Sequence, residues 1–209
     1  MKKAFIFDFD GTLSETFPLI LESVDIAYRR LGLVPPTKEV LFANFGPSER
    51  GMIKRITPDR ADELFSQYLK ASEEIIAERG LKAFDGIEEV LAALKSAGVK
   101  IALITGKSEE SLRLTLAAIG LGKYFDLLKW GDESGSVKPR RLREVLSDFA
   151  LMPEDAVYIG DSVQDIKDCR EVGVPILSAA WADCADVSAL EAQSPDAVLR
   201  SPKEILAYL

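Results

Sequence analysis

The segment Lys3-Ala-Phe-Ile-Phe-Asp-Phe-Asp-Gly-Thr-Leu13 decides the fold of this 209-residue chain. Its residues 4–7 form an uninterrupted apolar run, which is typical of a parallel β-strand buried on both faces. Asp8 and Asp10 follow directly, and their two-residue spacing projects both carboxylates to the same side of an extended chain. Gly11 then permits a sharp turn. The segment therefore predicts two acidic groups at the carboxyl end of a buried strand, where open α/β sheets bind their ligands.

Two neighbouring carboxylates repel each other unless a cation lies between them or one of them is protonated. Mg²⁺ is bound by few protein carboxylates and leaves positions for the oxygens of a phosphate. One carboxylate of such a pair is able to act as a nucleophile and the other as a general acid and base. A strand that ends in an ordinary turn, with Asp8 and Asp10 both solvated, is the alternative that the pair by itself leaves open.

The rest of the chain divides into a helical stretch and an alternating stretch. Residues 15–82 show helical periodicity and no convincing strand. After residue 83, amphipathic helices alternate with apolar segments that predict strands at residues 100–104, 125–128, 156–159, 174–179 and 197–199. Asp85 and Glu88 have the spacing of a capping box at a helix start. Strands that alternate with helices predict an α/β fold with a doubly wound parallel sheet.

Polar residues follow two of the later strands and open one helix. Thr105 and Gly106 follow the second strand, where a hydroxyl and the amides of a helix start favour an anion. Lys138 precedes Pro139 at a helix start and would supply a compact cation. Asp161 and Asp165 follow the fourth strand in the order Gly-Asp-x-x-x-Asp. Taken singly, each of these groups is also explained by a turn, a helix cap or a solvated charge.

Taken in order, the four motifs resemble those of the haloacid dehalogenase superfamily, and specifically its phosphatase branch. The resemblance implies a Rossmann-like core of residues 1–14 and 83–209, with a small α-helical cap inserted at residues 15–82. It implies that Asp8 attacks phosphorus and becomes an aspartyl phosphate. It also implies that Asp10 protonates the leaving group and later activates water.

The resemblance also implies the ligands of the metal and of the phosphate. Mg²⁺ is expected on the Asp8 carboxylate, the Asp10 backbone carbonyl and Asp161, and Asp165 is expected to support the site through water or Lys138. The transferred phosphoryl group is expected to be held by Thr105, Gly106 and Lys138.

Two features of the expected cap supply candidate specificity residues. Glu15 stands near the start of the cap, where many relatives have an aspartate followed by Ser or Thr, and it is a candidate specificity residue. The loop at residues 44–51 occupies the position of a specificity loop, and its candidates are Ser48, Glu49 and Arg50. Arg50 would meet a substrate carboxylate through two hydrogen bonds, pair with Glu49, or point into water.

These motifs predict a Mg²⁺-dependent phosphomonoesterase that acts on a small phosphorylated metabolite. The overall layout resembles that of phosphoglycolate phosphatases, which favours a phosphoglycolate-like acid or a sugar phosphate as the substrate. A sugar phosphomutase of the β-phosphoglucomutase type shares all four motifs. A binding or regulatory protein on the same fold is the alternative from another class. No role is assigned to Trp130, Trp181 or Cys184.

Composition excludes several other functions. The chain contains no histidine, so a Ser-His-Asp triad and a histidine zinc site are excluded. Its formal net charge of -8 argues against nucleic acid as a partner. No apolar run reaches the ~20 residues of a membrane helix, and the apolar run after Lys3 is too short for a signal peptide. We expect a cytoplasmic monomer or small homo-oligomer, with no membrane contact and no disulfide framework from two cysteines.

Overall fold

The computed structural model describes residues 2–183 and 185–209. Within these residues it contains a parallel sheet of six strands in the order β3-β2-β1-β4-β5-β6. The strands are β1 (Ala4–Phe7), β2 (Lys100–Ile104), β3 (Leu127–Lys129), β4 (Ala156–Gly160), β5 (Ile176–Ala179) and β6 (Ala197–Leu199). The prediction of an α/β fold with a parallel sheet is confirmed.

Strand β1 is the centre of the sheet, which explains its continuous apolar sequence. Its first residue, Ala4, lies opposite Lys100 of β2 and Ala156 of β4. All four residues of β1 are fully buried, because helices cover both faces of the sheet. The strand order reverses on either side of β1, so the crevice at its carboxyl end is the place where such sheets bind ligands.

Helices α5 (Ile87–Ser96) and α6 (Glu109–Ile119) belong to one side of the sheet, and α7 (Lys138–Phe149) and α8 (Val163–Val172) belong to the other. The short helix α9 (Val187–Ala192) precedes β6. Side chains alternate along β1, so Phe5 and Phe7 join the first apolar cluster while Ile6 joins the second. This alternation is the period of two that a strand imposes.

Four helices lie between β1 and α5 in the chain. They are α1 (Phe17–Arg30), α2 (Lys38–Ala43), α3 (Glu49–Ile56) and α4 (Ala61–Arg79). They share an apolar cluster of their own, which includes Val24, Leu64 and Tyr68. None of the helices in the described part of the chain is long and apolar enough to cross a membrane.

The two segments that connect these four helices to the sheet run side by side. The Ser14 hydroxyl donates a hydrogen bond of 2.8 Å to the carbonyl of Lys82, and the Phe84 amide donates one of 2.9 Å to the carbonyl of Leu13. Because the chain leaves and returns at one point, we propose the division into a core of residues 1–14 and 83–209 and a cap of residues 15–82.

The predicted capping box of Asp85 and Glu88 is wrong. Gly86, with φ of +89°, precedes α5, and no side chain caps this helix. The turn at Gly86 starts the helix one residue later than expected, which removes Asp85 from the capping position. The Glu88 carboxylate instead accepts hydrogen bonds of 3.0 Å from Lys123 and from Tyr124.

Two predicted strands begin too early. β3 starts at Leu127 because a 3₁₀ turn at Gly122–Tyr124 precedes it. The ring of Phe125 packs edge-on against Phe7 at 6.4 Å. β5 starts only at Ile176, because the amide of Val174 donates a hydrogen bond of 3.0 Å to the carbonyl of Cys169 near the end of α8. Apolar content alone therefore overestimated both strands.

Candidate active site

Asp8 and Asp10 lie at the carboxyl end of β1 and line one cavity of about 410 Å³. The amide of Asp8 continues the sheet by donating a hydrogen bond of 2.9 Å to Ile159. Oδ1 of Asp8 accepts a hydrogen bond of 2.7 Å from the amide of Phe9, whose side chain points into the core. The predicted convergence of the two carboxylates is therefore present.

Lys138 is the cation that faces Asp8. Its Nζ lies 2.7 Å from Oδ2 of Asp8 and also donates to Oδ1 of Asp165. The other oxygen of Asp165 accepts hydrogen bonds from Ser162, at 2.6 Å from the hydroxyl and 3.1 Å from the amide. Asp165 is fully buried, and both of its oxygens are engaged within the protein. Asp165 therefore holds the ammonium group of Lys138 in place, and its supporting role at a metal site stays a prediction.

Asp161 completes a cluster of carboxylates with Asp8 and Asp165. One oxygen from each lies within 4.8 Å of the others. Burial raises the pKa of Asp8 to about 7, since the nearby carboxylates oppose the effect of Lys138. Burial, followed by the charge of Asp8, also raises the pKa of Asp161. A buried set of oxygen donors that repel one another fits a hard divalent cation such as Mg²⁺.

Gly11 allows Asp161 to come close to β1. A Cβ atom on Gly11 would lie 2.0 Å from Oδ2 of Asp161, and the φ angle of Gly11 is +69°. The glycine is therefore required both by its backbone conformation and by the space that the carboxylate occupies. Asp10 lies outside this carboxylate cluster, so its predicted part in metal binding depends on its backbone carbonyl.

The Asp10 carboxylate is held by two residues that the sequence did not single out. Lys107 is almost fully buried, and its Nζ lies 2.9 Å from Oδ1 of Asp10. The Thr16 hydroxyl donates a hydrogen bond to the same oxygen. Burial would lower the pKa of Lys107, but Asp10 and then Glu49 outweigh this effect and raise it. Lys107 directly follows the predicted phosphate motif, and this adjacency was the only signal for it in the sequence.

Glu49 connects the cap to the core beside Asp10. It is the first residue of α3, and its Oε2 accepts a hydrogen bond of 2.7 Å from the amide of Ser108, directly before α6. Its Oε1 lies 3.5 Å from Nζ of Lys107 and accepts a hydrogen bond of 3.5 Å from Tyr68. The N-terminus of α6 favours an anion at this position. Glu49 is thus a buried contact between the two parts of the chain.

The other specificity candidates lie outside the cavity. The Arg50 guanidinium lies 2.7 Å from Asp62 and 3.7 Å from Glu110, and it stacks over the ring of Phe65 at 4.5 Å. Among the described residues, Arg50 pairs with neither Glu49 nor any group that lines the cavity. Ser48 caps α3. Glu15 lines a neighbouring cavity of about 690 Å³.

Two of the three predicted phosphate ligands line the cavity, and the third is fully buried. Gly106 and Lys138 line the cavity. Thr105 is fully buried, and its hydroxyl accepts a hydrogen bond of 3.2 Å from the amide of Lys107.

The indole of Trp181, a residue without an assigned role, donates a hydrogen bond of 3.1 Å to the carbonyl of Thr12. Cys184, to which no role was assigned, lies outside the described residues.

Comparison with known proteins agrees with this geometry. A family model described as haloacid dehalogenase-like hydrolase matches residues 5–179. The chain belongs to the haloacid dehalogenase-like hydrolase family. A phosphoglycolate phosphatase of Thiobacillus denitrificans is 30% identical over 189 residues, which cover 86% of this chain and 83% of that protein. The pyrophosphatase PpaX of Listeria monocytogenes is 28% identical over 213 residues, which cover 98% and 94% of the two chains.

A solved structure shows that this hydrolase fold extends over nearly the whole chain. CbbY from Rhodobacter sphaeroides, in complex with phosphate, matches with a TM-score of 0.82 at 21% identity, over 98% of this chain and 96% of that one. The predicted resemblance to haloacid dehalogenase-like hydrolases is confirmed, and so is the predicted enzyme class, a phosphatase of this family. The roles of individual residues stay predictions.

Proposed function

We propose that this chain is a Mg²⁺-dependent phosphomonoesterase that hydrolyses a small phosphorylated metabolite through an aspartyl-phosphate intermediate. The observation that carries the proposal is the environment of Asp8. Its carboxylate is buried, lies 2.7 Å from Lys138 and is close to Asp161, while Asp10 lines the same cavity. A nucleophile, a cation and a general acid thus face one space.

Asp8, Asp161 and the backbone carbonyl of Asp10 would hold the metal. When bound, Mg²⁺ neutralises charge on the phosphoryl oxygens and on the carboxylates. Lys138, whose Nζ lies 2.7 Å from Oδ2 of Asp8, neutralises further charge on the phosphoryl oxygens. The amide of Gly106 donates to the phosphoryl group from the carboxyl end of β2.

Asp8 and Asp10 act together in both halves of the reaction. An oxygen of Asp8 attacks phosphorus, the bond to the leaving oxygen breaks, and Asp10 gives that oxygen a proton. Water then attacks the phosphorus of the aspartyl phosphate, Asp10 takes a proton from this water, and Asp8 and inorganic phosphate are released. Lys107 and Thr16 hold Asp10 in place for both proton transfers. Glu49 and Met52 of α3 line the cavity, and the cap limits the access of water to the site during the first step.

The names of the relatives support a small phosphorylated substrate. Relatives are named phosphoglycolate phosphatase and pyrophosphatase, which suggests a phosphate ester or anhydride of modest size. A phosphoglycolate-like acid and a sugar phosphate are the two substrate classes that the sequence favoured. Both fit a cavity of about 410 Å³ by size.

Phosphate release from a panel of phosphorylated metabolites tests the proposal. The panel is assayed with Mg²⁺, with EDTA, and with the Asp8→Asn variant. Asp148→Asn is the matched control, because Asp148 is exposed and pairs with Lys129 at 2.8 Å. We expect release that requires Mg²⁺, survives in Asp148→Asn and falls at least a thousandfold in Asp8→Asn. Substantial turnover by Asp8→Asn would exclude Asp8 as the nucleophile, and a requirement for a sugar bisphosphate activator would indicate a mutase.

A further inference from the structure

The part of the cavity that faces the cap is apolar. The cap contributes no charged side chain to this wall except Glu49, among the described residues that line the cavity. The rings of Phe17 and Phe45 stack at 6.1 Å with an angle of 19° between their planes. The apolar residues of the wall are Phe17, Ile20, Phe45, Pro47 and Met52. A leaving group that extends from Asp10 toward the cap would therefore contact aromatic and aliphatic carbon.

The charged residues of the cavity are mostly acidic. Five carboxylates and two lysines line it in the part of the chain that the structure describes: Asp8, Asp10, Glu49, Asp161, Asp168, Lys107 and Lys138. Asp8, Asp161 and Lys138 belong to the phosphoryl and metal side in the proposed function. The leaving group would then face Asp10, which carries the proton that it donates, together with the carboxylate of Glu49 and the ammonium group of Lys107.

Lys107 is not available to a second anion. Its ammonium group is almost fully buried between Asp10 at 2.9 Å and Glu49 at 3.5 Å. Asp168 is also satisfied within the protein, because it accepts hydrogen bonds of 2.7 Å from Gln164 and 3.2 Å from Ser136. Among the described residues that line this cavity, no free cation would compensate an acidic leaving group.

Cations elsewhere on the cap near α3 point away from the cavity. Arg50 is held by Asp62 and Glu110, and Lys54 pairs with Glu133 at 2.7 Å. Lys38 lines the neighbouring cavity together with the acidic residues Glu15, Asp183 and Asp186. Arg55 donates a hydrogen bond of 3.5 Å to the carbonyl of Ser134. The described cations of α2 and α3 are thus directed to other acids, to a carbonyl or to the neighbouring cavity.

We infer that this phosphatase prefers monoesters of uncharged alcohols with an apolar part over substrates whose leaving group carries a carboxylate or a second phosphate. The inference rests on the proposed function and narrows its substrate. An uncharged leaving group buries apolar surface against Phe17 and Met52, whereas an anionic one meets apolar carbon and the Glu49 carboxylate, whose partner Lys107 is already engaged. Discrimination of this kind comes from repulsion as much as from attraction. We therefore expect poor hydrolysis of phosphoglycolate and pyrophosphate, the acidic compounds in the names of the relatives.

The test compares 2-hydroxyethyl phosphate with 2-phosphoglycolate, which differ only by a hydroxymethyl group in place of a carboxylate. We expect kcat/KM for 2-hydroxyethyl phosphate to exceed that for 2-phosphoglycolate at least tenfold, and that for phenyl phosphate to be higher still. Equal or better turnover of 2-phosphoglycolate or pyrophosphate overturns the inference but leaves the phosphatase proposal intact. If neither these compounds nor any member of the metabolite panel releases phosphate, both the inference and the proposed function are overturned.

Two variants assign the preference to the residues that cause it. Glu49→Gln keeps an acceptor for Ser108 and removes one negative charge, so we expect it to narrow the ratio between the two esters at least fivefold. Glu63→Gln is the matched control, because Glu63 is exposed on the cap and pairs with Arg60. Phe17→Ala should lower kcat/KM for phenyl phosphate about tenfold more than for 2-hydroxyethyl phosphate. An unchanged ratio in Glu49→Gln together with an equal loss in Phe17→Ala would contradict the inference.

Discussion

Lys107 offers the sharpest test of how the site is held together. Its ammonium group is buried between a carboxylate of the core, Asp10, and one of the cap, Glu49. The side chain of Lys107 is 1% exposed and that of Glu49 is 7% exposed, so solvent screens this pair little. We therefore expect Lys107→Met, which keeps the aliphatic stem, to destabilise the protein strongly.

The size of the effect follows from what remains after the substitution. Removal of one partner from a buried ion pair costs about 3–5 kcal/mol, because the other charge stays buried without compensation. Asp10 keeps the hydrogen bond from Thr16, and Glu49 keeps the one from Ser108. These remaining hydrogen bonds place the expected loss in the free energy of unfolding near the lower limit, about 3 kcal/mol. In a chain of this size such a loss lowers the melting temperature by about 6–12 °C.

Urea unfolding followed by tryptophan fluorescence and circular dichroism measures the loss. Lys54→Met is the matched control, since Lys54 is 60% exposed and its pair with Glu133 also spans the cap and the core. An exposed pair contributes about 1 kcal/mol or less. Addition of Glu49→Met to Lys107→Met should cost less than the sum of the single changes, with a coupling of about 1–3 kcal/mol.

The reasoning about Lys107 is refuted by either of two results. One is a loss in Lys107→Met no larger than that in Lys54→Met. The other is strict additivity of Lys107→Met and Glu49→Met, since residues that share a buried ion pair have to couple.

Two further predictions concern Gly11 and Asp8. Gly11→Ala should raise the Mg²⁺ concentration for half-maximal activity at least tenfold, because the Cβ of the new alanine would displace Asp161. Gly32→Ala is the control, because Gly32 has φ of +70° and nothing lies within 4 Å of a Cβ there. This control should show the backbone strain without a change in the Mg²⁺ requirement. In EDTA-treated protein, stability should fall as pH rises from about 4 to about 7, because native Asp8, with its pKa raised to about 7, binds a proton that the unfolded chain has lost. Asp161 acts in the same direction. Urea unfolding over this range should show a smaller slope for Asp8→Asn, and an unchanged slope would contradict the assignment.

The sequence determined the fold and the positions of the main polar groups. A parallel strand covered on both faces needs an uninterrupted apolar segment, and residues 4–7 and 101–104 supply one each. The carboxyl ends of parallel strands lie along one edge of the sheet, so the sequence placed Asp8 and Asp161 at the same edge, and the pairing of β1 with β4 made them neighbours. The apolar pattern did not give the ends of elements, because Gly86 and Val174 act through backbone conformation and hydrogen bonding that such a pattern does not record.

Only the tertiary structure decided which charged groups meet. Glu49 and Lys107 are 58 residues apart in the chain, and no periodicity within α3 or α6 indicates that they touch. Arg50, the next residue after Glu49, faces Asp62 and not the cavity, since adjacent residues on a helix point in different directions. A sequence pattern shows which face of a helix is buried, but the partner of a buried charge depends on how separate elements pack. That packing gives the cap side of the cavity its acidic and apolar character.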